Sequence, residues 1–172
     1  LLDQEFVYVG DAGIVEPSGK TERYGVDLGV RAQLGKSWFA DIDVNYAFAR
    51  SSEDPEGENF IPLAPAFTST GGINYKQNKW TAGLRYRYLA DRPANEDNSI
   101  VAEGYAITDL NANYNFKHLT LGFAIENLFN QEWNETQFAT ESRLFNEVES
   151  VEEIHFTPGS PFQIRGVLKY RF

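Results

Sequence analysis

The 172 residues include two histidines, His118 and His155, and no cysteine or methionine. Without thiolates there is no disulfide framework, no cysteine nucleophile and no thiolate metal site. His118 falls in a short polar turn and His155 in an acidic stretch, and neither has a second histidine at ligand spacing. No serine sits in a nucleophile-elbow sequence, and no carboxylates are paired where general acid–base work could be argued. The run Asp54–Asn59, "DPEGEN", lacks the spacing of a calcium loop. No catalytic residue, metal site or cofactor is expected. What remains is binding chemistry: charges set at every second position, and aromatics gathered in one long stretch near the end.

That spacing of two describes the elements carrying those charges. In "RYGVDLGVRAQL", Tyr24, Val26, Leu28, Val30, Ala32 and Leu34 share one face, opposite Arg23, Asp27, Arg31 and Gln33. "WFADIDVNYAF" sets Trp38, Ile42, Val44, Tyr46 and Phe48 against Asp41, Asp43 and Asn45. "FTSTGGINYK", "WTAGLRYRY", "LNANYNF" and "LTLGFAIE" repeat the pattern, the second placing Arg85 and Arg87 on the polar side and the last placing Glu126 there. The terminal "PFQIRGVLKYRF" sets Phe162, Ile164, Leu168, Tyr170 and Phe172 against Gln163, Arg165, Lys169 and Arg171. With a weaker strand near "QEFVYVG", about eight strands are expected, and none reads at helical spacing. The chain is all-β.

The connections alternate in length. "LGKSW", "YKQNKW" and "NFKHL" are tight, whereas residues 10–22, 51–64, 91–104 and 130–158 are long. Short turns therefore collect at one end of an antiparallel up-and-down sheet and long loops at the other, as in an outer-membrane β-barrel. The mean hydropathy of −0.43 does not oppose this, because alternating strands never raise a hydropathy window. Parity alone does not say which face is inside; a soluble ligand-binding barrel would turn the apolar rows inward. Charges and amides on nearly every polar row suit a wet lumen. Aromatics near strand ends (Trp38, Phe48, Trp80, Tyr88, Phe116, Phe172) suit an interfacial girdle. Both favour lipid outside. A complete eight-stranded barrel of the OmpA-like kind, structural or adhesive, fits the length and is the alternative.

The stretch Glu126-Asn127-Leu128-Phe129-Asn130, followed by Trp133, resembles the Asn-Leu-Phe-Asp/Asn motif near the end of TonB-dependent outer-membrane receptors. The closing "FTPGSPFQIRGVLKYRF" is similar to that family's last segment, with Phe162 where many members carry Arg. The resemblance implies a barrel of about 22 strands around a plug domain. Residues 1–172 would then be its C-terminal third, with the plug and the N-terminal strands absent. It also implies a place in the bacterial outer membrane and import of a scarce siderophore-, metal- or carbohydrate-like solute with energy from the TonB system, delivered through the plug. Leu168, Tyr170 and Phe172 would form the signal read by the barrel insertion machinery. The lack of methionine fits a mature product or a fragment.

The net charge of −10 comes largely from acids in the long loops and argues against nucleic acid as a partner. Such loops could meet cationic or metal-bearing solutes, or divalent ions bridging lipopolysaccharide beside the lipid; as a plain reading they form a solvated, repulsive surface. The stretch from Asn130 to Ser160 is the candidate solute loop, with Trp133, Phe138, Phe145 and Phe156 among seven acids, Arg143 and His155. It is expected to lack regular structure, fold over the barrel mouth and pack some aromatics on neighbouring loops.

Overall fold

The computed structural model describes residues 2–4, 6–9, 14–17 and 19–172 of the chain. Asp11, an acid of the 10–22 connection, lies outside the described residues. The apolar/polar alternation produces seven long strands: β3 (Thr21–Leu34), β4 (Trp38–Ser51), β5 (Phe67–Gln77), β6 (Trp80–Leu89), β9 (Tyr105–Asn115), β10 (Leu119–Glu126) and β13 (Gln163–Tyr170). Each pairs antiparallel with its neighbour in one meander, ordered β13-β10-β9-β6-β5-β4-β3. Three shorter hairpins stand apart from it. They are β1 (Phe6–Val9) with β2 (Ile14–Pro17), β7 (Arg92–Pro93) with β8 (Val101–Ala102), and β11 (Asn134–Ser142) with β12 (Val151–Pro158).

Two expectations change. The weak strand near residues 4–10 does not join the sheet; it pairs with β2, Phe6 opposite Pro17 and Val9 opposite Ile14. The sheet therefore has seven strands rather than eight. The stretch 130–158 is not an irregular loop, because most of it forms the β11–β12 hairpin. Its alternation is hidden by acids on both strands, and Glu141 stands directly opposite Glu152, a like-charge pair that sheet pairing does not favour.

Register makes the two faces continuous. Across the sheet, Val30 faces Ile42, Ile73 faces Leu84, Leu84 faces Leu110, Leu110 faces Ile125 and Ile125 faces Ile164. Between these rows, Arg31 faces Asp41, Gly72 faces Arg85, Arg85 faces Asp109 and Ala124 faces Arg165. The apolar rows are open or half-open to the surroundings: Leu110 and Ile125 are half-exposed, Ile42 is 38% exposed and Leu168 73%. Aromatic pairs band that face near both ends. Trp38–Tyr75, Trp80–Tyr114 and Tyr170–Phe172 lie at the short-turn end, and Tyr24–Phe48 and Phe67–Tyr88 at the other. The well-buried apolar residues among those described (Ala49, Ile61, Ala94, Ala102, Ile107) all gather at the long-connection end. Among the described residues, no packed layer covers the sheet itself. The strands β3 and β13 are its two edges and do not pair with each other, so the sheet stays open within this chain.

Candidate functional site

At the long-connection end the Asn-Leu-Phe-Asn segment ties three elements together. Asn127 and Asn130 both adopt the left-handed backbone, with φ of 51° and 49°, a conformation asparagine tolerates better than most residues. Asn127 is 2% exposed. Its Nδ2 donates to the carbonyls of Gln131 (2.8 Å) and Ser160 (3.1 Å), its Oδ1 accepts the Gln131 N–H (2.8 Å), and its own N–H donates to Asp109 Oδ1 (3.0 Å). Asn130 Oδ1 accepts the Phe162 N–H at 2.9 Å. One turn thus joins the end of β10 to the chain entering β13. The Leu128 N–H donates to the Thr108 carbonyl (2.7 Å), whereas Phe129 is 72% exposed.

Trp133 braces the same corner. Its Nε1 donates to the Ser160 carbonyl at 3.0 Å, and its ring packs against Gly159 so closely that no Cβ would fit there. The other side of the ring meets Tyr105 edge-on (4.8 Å between centroids) and lies 5.7 Å from the Arg87 guanidinium carbon. Trp133 therefore sits above the polar face at the base of the hairpin.

The rest of the candidate loop is spread along that hairpin. Phe138 and His155 are cross-strand partners with stacked rings, centroids 6.3 Å apart. His155 Nε2 lies 3.3 Å from Ser142 Oγ. Arg143 and Phe145 are near the tip, both exposed, and Phe145 fully so. Trp133 is the loop aromatic that packs on a neighbouring strand; Phe156 is 57% exposed. What holds the hairpin against the adjacent connection is polar. Gln137, 3% exposed, accepts the Glu103 N–H (3.0 Å) and donates to the Glu103 carbonyl (2.6 Å), while Asn95 donates to Glu152 (3.1 Å). Sequence reading missed Gln137 and Asn95, since an isolated amide in a polar stretch carries no signal of its eventual partner. In the same connection, the Ser99 N–H (3.0 Å) and hydroxyl (2.7 Å) donate to Asp97 and hold its carboxyl below the usual range.

The polar face below is laced across strands. Arg31 meets Asp43 (2.7 Å), Arg87 meets Asp109 (3.7 Å), Arg165 meets Glu126, and the Arg85 guanidinium forks onto both oxygens of Asp41 (3.0 and 2.9 Å). This last pair bridges β6 to β4 across β5, where Gly72 lies in register with both partners. A Cβ at Gly72 would stand 3.0 Å from Arg85 Cγ. The glycine lets the arginine cross the strand. All these groups are partly open to solvent, so their value lies in fixing register more than in stability.

At the opposite end, all eight residues of β13 are exposed, as befits an edge strand. The Arg171 N–H donates to the His118 carbonyl (2.8 Å), anchoring the chain one residue before Phe172. The Phe172 ring is exposed and stands edge-on to Tyr170, 5.2 Å away. His118 thus contributes its backbone to holding the terminal segment.

An antiparallel meander with one apolar face, one charged face, aromatic bands at both ends and long connections at one end only is the wall of a membrane-spanning β-barrel. Residues 3–128 match the family model described as TonB dependent receptor-like, beta-barrel, and the chain belongs to that family. It is 32% identical over 117 residues to "Heme/hemopexin utilization protein C" of Haemophilus influenzae, an alignment covering 63% of this chain and 16% of that protein. Among solved structures it is similar to the ferric-catecholate import receptor Fiu from K12 E. coli (TM-score 0.70, 17% identity, 99% of this chain and 24% of that one). It is also similar to the ferric yersiniabactin uptake receptor FyuA from Yersinia pestis (0.66, 17%, 92% and 25%) and to the copper transporter OprC (0.66, 20%, 97% and 27%). The chain therefore spans about a sixth of the curated relative and about a quarter of these receptors. The family is one of bacterial outer-membrane receptors, not enzymes, and open apolar rows suit the lipid of such a membrane.

Proposed function

We propose that this chain is a C-terminal portion of the barrel wall of a receptor that imports a scarce, metal-bearing solute with energy from the TonB system, delivered through a plug domain. The observation that carries the reading is the family match over residues 3–128, borne by a sheet whose charged face is laced across strands as a lumen wall requires. The relative named for heme and hemopexin utilization, and the ferric-siderophore and copper receptors of like fold, support a siderophore-, metal- or heme-like cargo over a carbohydrate. The complete eight-stranded OmpA-like barrel has no support in an open seven-stranded sheet. The β11–β12 hairpin, exposed at its tip and docked on the 90–104 connection, is the part of this chain best placed to meet the solute.

The test is uptake by the full-length receptor in an outer-membrane strain stripped of its own receptors. Heme, a ferric siderophore and copper are supplied separately, with and without a working TonB. Deleting residues 136–154 should abolish uptake of whichever solute is imported, while the barrel still inserts and resists heat. The Asn127, Asn130 and Trp133 contacts that hold β10 to the start of β13 lie outside the deleted segment. Uptake that persists at the wild-type rate without TonB would sink the energised-import reading.

A further inference from the structure

Between the connections 52–66 and 90–104 lies a cavity of about 330 Å³. Its floor is Ala47 and Ala49, in the same alternate row of β4 as Asp43 and Asn45. The walls are hydrogen-bonded to each other: the Phe60 N–H donates to the Glu96 carbonyl (3.0 Å) and the Leu63 N–H to the Pro93 carbonyl (2.7 Å). Cross-braced in this way, it is a built pocket rather than a gap between neighbouring loops.

Its charge runs against that of the molecule. In a chain of net charge −10, this pocket is lined by two guanidinium groups, Arg50 and Arg92, and one carboxylate, Asp91. Asp91 Oδ1 is engaged by the Gly104 N–H at 2.7 Å. Arg50 lies over the Phe60 ring (4.0 Å) and donates to its neighbour's carbonyl at Ala49 (2.7 Å). Arg92 is half-buried, forms no ion pair among the described residues, and has its Nη1 enclosed without an acceptor. Enclosing a guanidinium nitrogen without an acceptor is unfavourable, and burial pushes the Arg92 guanidinium below its ordinary range against the smaller opposing pull of Tyr105 and Asp91. Asn98 adds a side-chain amide to the same lining.

We propose that this cavity binds a carboxylate group of a small organic acid, or of an arm of a larger solute, with Arg92 as its principal partner and Arg50 and Asn98 beside it. The proposal rests on the uptake reading only in taking that acid to belong to the imported solute. The surplus of one positive charge suits one carboxylate group, which a guanidinium receives in a planar fork, a second carboxylate such as that of succinate being left at the mouth in solvent. A phosphate dianion would instead meet Asp91. The volume, at the lower end of small-molecule pockets, admits a small organic acid and no more than part of a large chelate.

The probe is succinate, titrated into the detergent-solubilised full-length receptor and followed by saturation-transfer NMR, with succinamide and inorganic phosphate as comparisons. Saturable succinate binding in the millimolar range or tighter is expected, with phosphate weaker and succinamide silent. Arg92→Gln should weaken succinate about tenfold or more, and Arg92→Lys less, since a charge remains without the fork. Ala47→Leu, which fills the floor without touching a charge, should also lose binding and decides the matter if the arginine variants do not fold. Absence of saturable succinate binding to wild type overturns the proposal, as does wild-type affinity in folded Arg92→Gln or Ala47→Leu. Phosphate binding as tightly as succinate overturns the carboxylate assignment. The measurement needs no TonB and no transport, so its failure leaves the import reading where it stood, and a loss of uptake does not bear on it.

Discussion

Asn127 shows how much one side chain can hold at a barrel's outer corner. Its amide uses both ends at once, donating twice to carbonyls of two segments and accepting once, while the backbone takes the left-handed turn. Asn127→Asp keeps the acceptor but replaces the donor with a carboxylate oxygen facing the Gln131 and Ser160 carbonyls in a site 2% exposed. The expected loss is about 1–3 kcal/mol, the usual cost of leaving buried polar groups unmatched, read as a lower unfolding midpoint of the detergent-folded barrel. Phe129→Ala, two residues on and 72% exposed, should stay close to wild type. Equal effects at the two positions would remove Asn127 from this role.

Among the elements, β13 is the one whose isolation in sequence is most informative. It pairs on one side with β10 over eight residues, Leu119 opposite Tyr170 through Glu126 opposite Gln163, and its other edge is free in this chain. A free edge bearing alternate apolar residues is a template for strand addition, which is what barrel closure demands and what makes a premature partner harmful. Its aromatic end, Tyr170 and Phe172, projects at the short-turn rim. Deleting Phe172, or replacing it with Asp, in the full-length protein should lower the inserted amount seen by outer-membrane fractionation while synthesis stays constant. Wild-type outer-membrane levels would show that the last ring is no part of an assembly signal.

For the molecule as a whole, the decisive property is which face meets lipid. The apolar rows run unbroken from Val30 through Ile42, and again from Ile73 to Ile164, with no layer covering them among the described residues. An arginine on a lipid face costs roughly 2–4 kcal/mol near the bilayer midplane and less towards either interface. Ile42→Arg and Leu121→Arg should therefore lower barrel stability in lipid vesicles well below Asn45→Arg and Thr120→Arg, which lie on the opposite face. The reverse order would put the apolar rows inside and return the soluble barrel to consideration.

The long strands were legible because a strand with two different surroundings must alternate in composition, and stretches such as Tyr24 to Leu34 do so for eleven residues. Turn ends were legible from the tight polar breaks, and the family from Asn127 to Trp133 and the closing segment. The β11–β12 hairpin was not, because water bathes both of its sides: acids are then tolerated on either face and the period of two disappears. Nor could sequence reveal that Gln137 would meet Glu103, that Gly72 would let Arg85 reach Asp41, or that Arg92 would be half-buried beside a cavity. The two pairings join residues 34 and 44 positions apart, and only the register of several strands together brings them within hydrogen-bond reach. Local composition decided which residues form the apolar rows and which the polar ones; tertiary structure alone decided which of the polar groups have partners.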